Sequence, residues 1–131
     1  MFLDTSGLLC LHHAAEREHV AAVVHFDASP VKLTHNYVLA EFVALAQARG
    51  FPRQEALEFV ADLQDSSEVT VVYVSEQLHR QALRLLHERL DKSWSLCDAV
   101  SFLLMQGLSI SQALTTDHHF EQASFVRLLA P

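Results

Sequence analysis

The sequence of 131 residues is poor in several residue types, and each shortage excludes a class of protein. Its two cysteines, Cys10 and Cys97, are too few for a disulfide framework and are not spaced as a CxxC pair. We therefore expect reduced thiols and a cytoplasmic protein. Three glycines and three prolines exclude a collagen-like chain, and a hydrophobic fraction of 50% excludes a disordered one. The uncharged segment 99–116 is interrupted by serine and glutamine, so we expect no membrane span.

Basic residues are also scarce. Nine lysines and arginines stand against 16 aspartates and glutamates, which gives a formal net charge of −7. This balance argues against a broad basic surface for nucleic acid. The length is that of one domain, and no repeat, low-complexity tract or linker divides it. We therefore expect a single domain over residues 1–131.

Short β-branched segments alternate with helical patterns along the chain. The expected strands are residues 1–4, 31–34, 69–74, 110–114 and 125–129. The expected helices are one or two over residues 6–28, then 36–48, 53–64, 75–90 and 96–107, with a helical turn at 117–122. This alternation predicts an α/β fold with a mostly parallel sheet covered by helices. The segment 69–74 is the clearest strand, and we expect it to be buried on both faces.

Four acids occupy unusual positions in this pattern. Asp4 and Asp117 each follow an expected strand, so both should lie at the carboxyl edge of the sheet, where such folds bind ligands. Asp98 lies in the first turn of an apolar helix, and Glu41 shares a helix flank with apolar residues. Each acid also has an ordinary alternative. Asp4 would cap a helix, Asp98 would form a capping box with Ser95, Asp117 would stabilise a turn, and Glu41 would be solvated.

Convergence of these four carboxylates would create a site that needs a cation. Like charges in one site repel and raise each other's pKa. Mg²⁺ and Mn²⁺ relieve the repulsion, because they prefer carboxylate oxygen and water as ligands. A carboxylate-bound ion with retained water is suited to the hydrolysis of phosphodiester bonds.

The segments around the four acids resemble the motifs of PIN-domain nucleases, in particular the VapC-like toxins of toxin–antitoxin pairs. They are residues 2–6 (Phe-Leu-Asp-Thr-Ser), 36–41 (Asn-Tyr-Val-Leu-Ala-Glu), 95–102 (Ser-Leu-Cys-Asp-Ala-Val-Ser-Phe) and 114–120 (Leu-Thr-Thr-Asp-His-His-Phe). The resemblance implies a three-layer α/β/α sandwich and an endoribonuclease that depends on Mg²⁺ or Mn²⁺. It also implies that the acidic quartet is catalytic and binds the metal; its members are Asp4, Glu41, Asp98 and Asp117.

The same resemblance implies supporting residues and partners. Thr5, Ser6 and Thr116 adjoin motif carboxylates, and we expect them to donate hydrogen bonds to these or to hold metal-bound water. RNA is the expected substrate and an antitoxin protein the expected partner. The apolar helical segments 38–46 and 56–63 predict a homodimer or a bound antitoxin, unless both are buried within the monomer.

Other interpretations of the sequence stay open at this point. His12, Glu16 and His19 are spaced for one helix face and would form a zinc site, or else simply a solvated surface. His118 and His119 adjoin Asp117 and would lie near a phosphate, or else in a surface turn. Two alternative functions are a PIN-like module that binds RNA or a partner without cutting, and a nuclease that acts on DNA.

Overall fold

The structure is a computed structural model, and it describes residues 1–129. Its strands are β1 (Phe2–Leu3), β2 (Leu33–His35), β3 (Thr70–Val72), β4 (Gln112–Leu114) and β5 (Val126–Arg127). Its helices are α1 (Thr5–His12), α2 (His19–Ala28), α3 (Asn36–Ala48), α4 (Arg53–Asp65), α5 (Glu76–Glu88), α6 (Leu96–Gly107) and α7 (His119–Gln122). The order of elements is the predicted one, and the helical region expected over 6–28 is two helices.

The strands form one parallel sheet in the order β3-β2-β1-β4-β5. From β1 the chain moves outward through β2 to β3, and it then crosses back to β4 and β5 on the other side. Because such crossovers are right-handed, α1–α4 cover one face of the sheet and α5–α7 cover the other. The helix contacts agree, since α3 packs on α1 and α4, while α6 packs on α5 and α7. The predicted three-layer α/β/α sandwich is confirmed.

The segment 69–74 does not have the predicted burial. Strand β3 lies at the edge of the sheet that residues 1–129 form, and it pairs there with β2. Thr70 is exposed, Tyr73 is 64% exposed, and Val69 is the one buried side chain of the segment. The prediction of burial on both faces is therefore wrong. The β-branched composition indicates strand propensity, and an edge strand has this propensity as much as a central strand does.

Fully buried side chains meet where β1 and β4 lie side by side. Phe2, Leu3 and Leu114 have no solvent exposure, and the ring of Phe120 stacks on Phe2 at a centroid distance of 6.1 Å. Helix α1 begins close against this pair of strands. A Cβ atom on Gly7 would lie 1.9 Å from the carbonyl oxygen of Leu114, so only glycine permits this approach. The first turn of α1 is thereby held against the end of β4.

The buried side chain of His35 connects the helical layers on the two faces of the sheet. The Val38 N–H donates to Nδ1 of His35, so the neutral ring carries its proton on Nε2, which lies 2.8 Å from Oγ of Ser101. That hydroxyl in turn donates to the carbonyl oxygen of Cys97. Burial is the main cause that lowers the pKa of His35 to about 4.

We expect the protein to lose stability in acid through His35. The unfolded chain binds a proton to this histidine near pH 6.5, whereas the folded state resists protonation down to about pH 4, so stability falls across that window as the pH drops. Urea unfolding at pH 7 and at about pH 4.5 should show a loss that is larger by about 2 kcal/mol in the wild type than in His35→Gln, which cannot titrate. Equal losses in the two proteins would contradict this account.

Candidate active site

Asp4 is the innermost acid of the predicted quartet. It follows β1 directly, and the pairing of Leu3 with Leu114 places it beside Thr115. Asp4 is 5% exposed, and its Oδ2 accepts a hydrogen bond of 2.7 Å from Oγ1 of Thr115. Asp4 occupies the N-cap position of α1 without a side-chain capping hydrogen bond, so the helix-cap alternative does not account for the burial of its carboxyl group.

The surroundings of Asp4 disfavour its charged form. Burial is the main cause that raises the pKa of Asp4 to about 7, and the nearby charges of Asp98 and Glu41 raise it further. Hydrogen bonds from Thr115 and from the Thr5 backbone oppose this shift without cancelling it. A carboxyl group in this setting gains stability from a cation beside it.

Asp98 lies at the start of α6 and serves two structural purposes. The predicted capping box is present, since Ser95 N–H donates to Asp98 Oδ2 at 3.0 Å and Ser95 Oγ accepts from the Asp98 N–H at 3.0 Å. The same Oδ2 lies 3.0 Å from Nδ1 of His119. Both contacts use one oxygen, so the capping role does not engage the other. Asp98 is 7% exposed, which is unusual for an acid that only caps a helix.

Glu41 lies on α3 and is more exposed than Asp4 or Asp98. Its charge contributes to the raised pKa of Asp4, as does the charge of Asp98. Burial raises the pKa of the Cys97 thiol, and the charges of Glu41, Asp4 and Asp98 add to that effect. Asp4 and Cys97 thus both experience the charges of Glu41 and Asp98. The structure brings Asp4 after β1, Glu41 on α3 and Asp98 on α6 into one neighbourhood.

Asp117 joins this neighbourhood through His119. It lies between β4 and α7, where its Oδ1 accepts from the His119 backbone N–H at 2.9 Å, which is the predicted turn role. The His119 ring is 3.5 Å from Asp117 Oδ2 and 3.0 Å from Asp98 Oδ2, both measured from Nδ1. The ring therefore connects the fourth acid to Asp98.

The hydroxyl groups around Asp4 differ in part from the prediction. Oγ of Ser6 lies 3.0 Å from Oγ1 of Thr115 and 3.5 Å from Oδ2 of Asp4, and it accepts from the Thr116 N–H. Two hydroxyl groups thus donate to Oδ2 of Asp4, Thr115 at 2.7 Å and the expected Ser6 at 3.5 Å, while Thr116 contributes its backbone N–H to Ser6. Thr5 is buried, and its Oγ1 has no hydrogen-bond partner among the described residues. Thr115 lies beside Asp4 because of the β1–β4 register, and no local sequence signal distinguishes it from Thr116.

These donors fit a hard divalent cation. Asp4 is a buried carboxyl with a raised pKa, further carboxylates lie near it, and the Thr5 oxygen beside it is unsatisfied. Oxygen donors of this kind suit Mg²⁺ and Mn²⁺. Asp117, His118 and His119 also offer ligand atoms within 4.8 Å of one another at the rim of the same site.

The helical zinc alternative is not supported by the side-chain contacts. His12 packs with its ring 4.9 Å from that of Phe59. Glu16 forms an ion pair with Arg49, and Nδ1 of His19 lies 2.7 Å from the carbonyl oxygen of Cys10. The three side chains thus have separate partners, because a break after α1 interrupts the helix on which they were expected to align.

The comparisons with known proteins agree with this geometry. Residues 1–126 match the PIN domain family, and the chain belongs to that family. The 23S rRNA-specific endonuclease VapC20 of Mycobacterium tuberculosis, from strains CDC 1551 and H37Rv, is 32% identical over 129 residues, which are 98% of this chain and 97% of the relative. The crystal structure of M. tuberculosis VapC20, described as a sarcin–ricin loop cleaving toxin, matches with a TM-score of 0.87 and 31% identity over 95% of each chain. The predicted family resemblance is confirmed.

None of the helices within residues 1–129 combines the length and apolar character needed to cross a bilayer.

Proposed function

We propose that this protein is an endoribonuclease that requires Mg²⁺ or Mn²⁺. Its proposed catalytic and metal-binding residues are Asp4, Glu41, Asp98 and Asp117. The observation that carries the proposal is the burial of Asp4 next to β4, within reach of the charges of Asp98 and Glu41. Strand order reverses between β1 and β4, and ligands of open α/β sheets bind at such a switch point. RNA as substrate is supported by the VapC20 relative, which is named for cleavage of 23S rRNA.

The burial of each acid suggests its role. Asp4 and Asp98 are the most buried and would be the principal ligands, while the more exposed Glu41 and Asp117 would complete the site or orient the attacking water. A bound divalent ion lowers the pKa of its water and offsets the charge that develops on the phosphate. Thr115 holds Asp4 in place, and Ser95 does the same for Asp98.

Partners and location are part of the same proposal. The formal charge of −7 makes RNA binding weak without the ion, because the carboxylates repel phosphate. We propose an antitoxin protein as partner, by likeness to a relative described as a toxin, and the cytoplasm as location. The homodimer stays a prediction. On α4, Ala56 and Leu63 are buried within the monomer, whereas Leu57 is 43% exposed and available to a partner.

Incubation with RNA and with single-stranded DNA of the same sequence tests the substrate class. With Mg²⁺ present, we expect the protein to cut the RNA and leave the DNA intact. A preparation of Asp62→Asn, which alters an exposed acid on α4, should cut RNA equally well. Cleavage of DNA alone would make the protein a deoxyribonuclease. Failure to cut either, together with no Mn²⁺ binding in calorimetry, would indicate a non-catalytic module.

A further inference from the structure

His119 lies between Asp98 and Asp117, two acids of the site. It is the first residue of α7, and its side chain is 17% exposed. Asp98 belongs to α6 and Asp117 to the loop after β4, so no shared element fixes the distance between their carboxylates. Both carboxylates contact His119, so this residue connects them.

The contacts of His119 are directional. A carboxylate accepts hydrogen bonds and cannot donate them, so the contact of 3.0 Å with Asp98 Oδ2 requires a proton on Nδ1. The backbone N–H of His119 donates to Oδ1 of Asp117 at 2.9 Å. On the far side of the ring, Nε2 lies 3.3 Å from Oγ of Ser93. The ring is thus fixed at both nitrogens.

We propose that His119 is a positioning residue for the metal site, a role that rests on the proposed function. By donating from Nδ1 to Asp98 and from its backbone to Asp117, it orients the two acids and reduces their mutual repulsion. Asp98 Oδ2 receives donors from Ser95 on one side and His119 on the other, which leaves the orientation of the second oxygen fixed. Groups that orient metal ligands in this way contribute strongly to metal affinity.

Binding of Mn²⁺ measured by calorimetry separates this role from a general structural one. We expect His119→Ala to bind Mn²⁺ about 10–100-fold more weakly, because Asp98 loses one of its two donors and the contact with the Asp117 side of the site. His119→Asn should recover most of the affinity, since its amide N–H occupies nearly the position of Nδ1. His119→Gln places its amide near the position of Nε2 and should not recover it. The rate of RNA cleavage should follow the same order among the variants.

The controls separate failure of this role from failure of the proposed function. His25→Ala makes the same change on α2, in the opposite layer, and should leave Mn²⁺ affinity and cleavage unchanged. Mn²⁺ affinities of His119→Ala within about twofold of the wild type would overturn the positioning role. So would equal affinities of the asparagine and glutamine variants. A wild type that neither binds Mn²⁺ nor cuts RNA would overturn the proposed function, and the positioning role with it.

Discussion

Asp4→Asn should reduce RNA cleavage by about a thousandfold or more, because several kcal/mol of transition-state stabilisation depend on the ion that Asp4 would hold. The substitution keeps the size of the side chain and an oxygen that can accept the hydrogen bond from Thr115. The loss should therefore occur without loss of fold. Cleavage of a labelled RNA under single-turnover conditions measures the effect, and Asp62→Asn is the matched control. Retained cleavage by Asp4→Asn would remove Asp4 from the catalytic site.

The same variant should be more stable than the wild type when no metal is present. The pKa of Asp4 is raised from 3.8 to about 7, so the folded wild type loses stability as the pH rises through this window. Asparagine removes that cost, and at neutral pH we expect a gain on the order of 3 kcal/mol in the free energy of unfolding. If metal-free Asp4→Asn were less stable than the wild type, contacts within the protein would compensate for the burial of the Asp4 carboxyl group, which would contradict this account.

Removal of divalent ions should abolish cleavage, and their addition should stabilise the wild type but not Asp4→Asn. EDTA should reduce RNA cleavage to background, and Mg²⁺ or Mn²⁺ in excess should restore it, because the quartet would supply ligands but no substitute for the ion. A ligand that binds only the folded state at a hundred times its Kd stabilises a protein by about 2.7 kcal/mol. Mn²⁺ should therefore raise the melting temperature of the wild type.

Differential scanning calorimetry of the wild type, Asp4→Asn and Asp62→Asn tests this difference in stabilisation by the ion. The wild type and Asp62→Asn should be stabilised by Mn²⁺, and Asp4→Asn should not. Full RNA cleavage in the presence of EDTA would contradict the proposed metal dependence, as would equal stabilisation of all three proteins.

The placement of the acids was predictable because it depends on local signals. Strands and helices alternate visibly, and parallel strands end at one edge of the sheet, so Asp4 and Asp117 could be assigned to that edge. The bounds of two helices, α3 and α6, were predicted correctly. Helix α3 ends just before Gly50, which has φ of +73°, and α6 begins at the Ser95 capping box.

The remaining differences come from long-range pairing, which local patterns do not encode. Strand β3 has the composition of a buried strand, yet its position at the edge follows from strand order alone. The choice of Thr115 over Thr116 as the donor to Asp4 depends on a register that a shift of one residue would change. The contact of His119 with Asp98 likewise depends on how α7 packs against α6.

Cleavage of ribosomal RNA in intact ribosomes tests the central proposal most directly. The wild type, incubated with ribosomes and Mg²⁺, should produce a new 5′ end in ribosomal RNA, detected by primer extension. The first primers should cover the sarcin–ricin loop of 23S rRNA, because the similar protein VapC20 is described as cleaving there. The new 5′ end should be absent with EDTA and absent with Asp4→Asn. A wild type that leaves 23S rRNA and all other RNA intact, or an Asp4→Asn variant that cuts at the same position, would contradict the proposal.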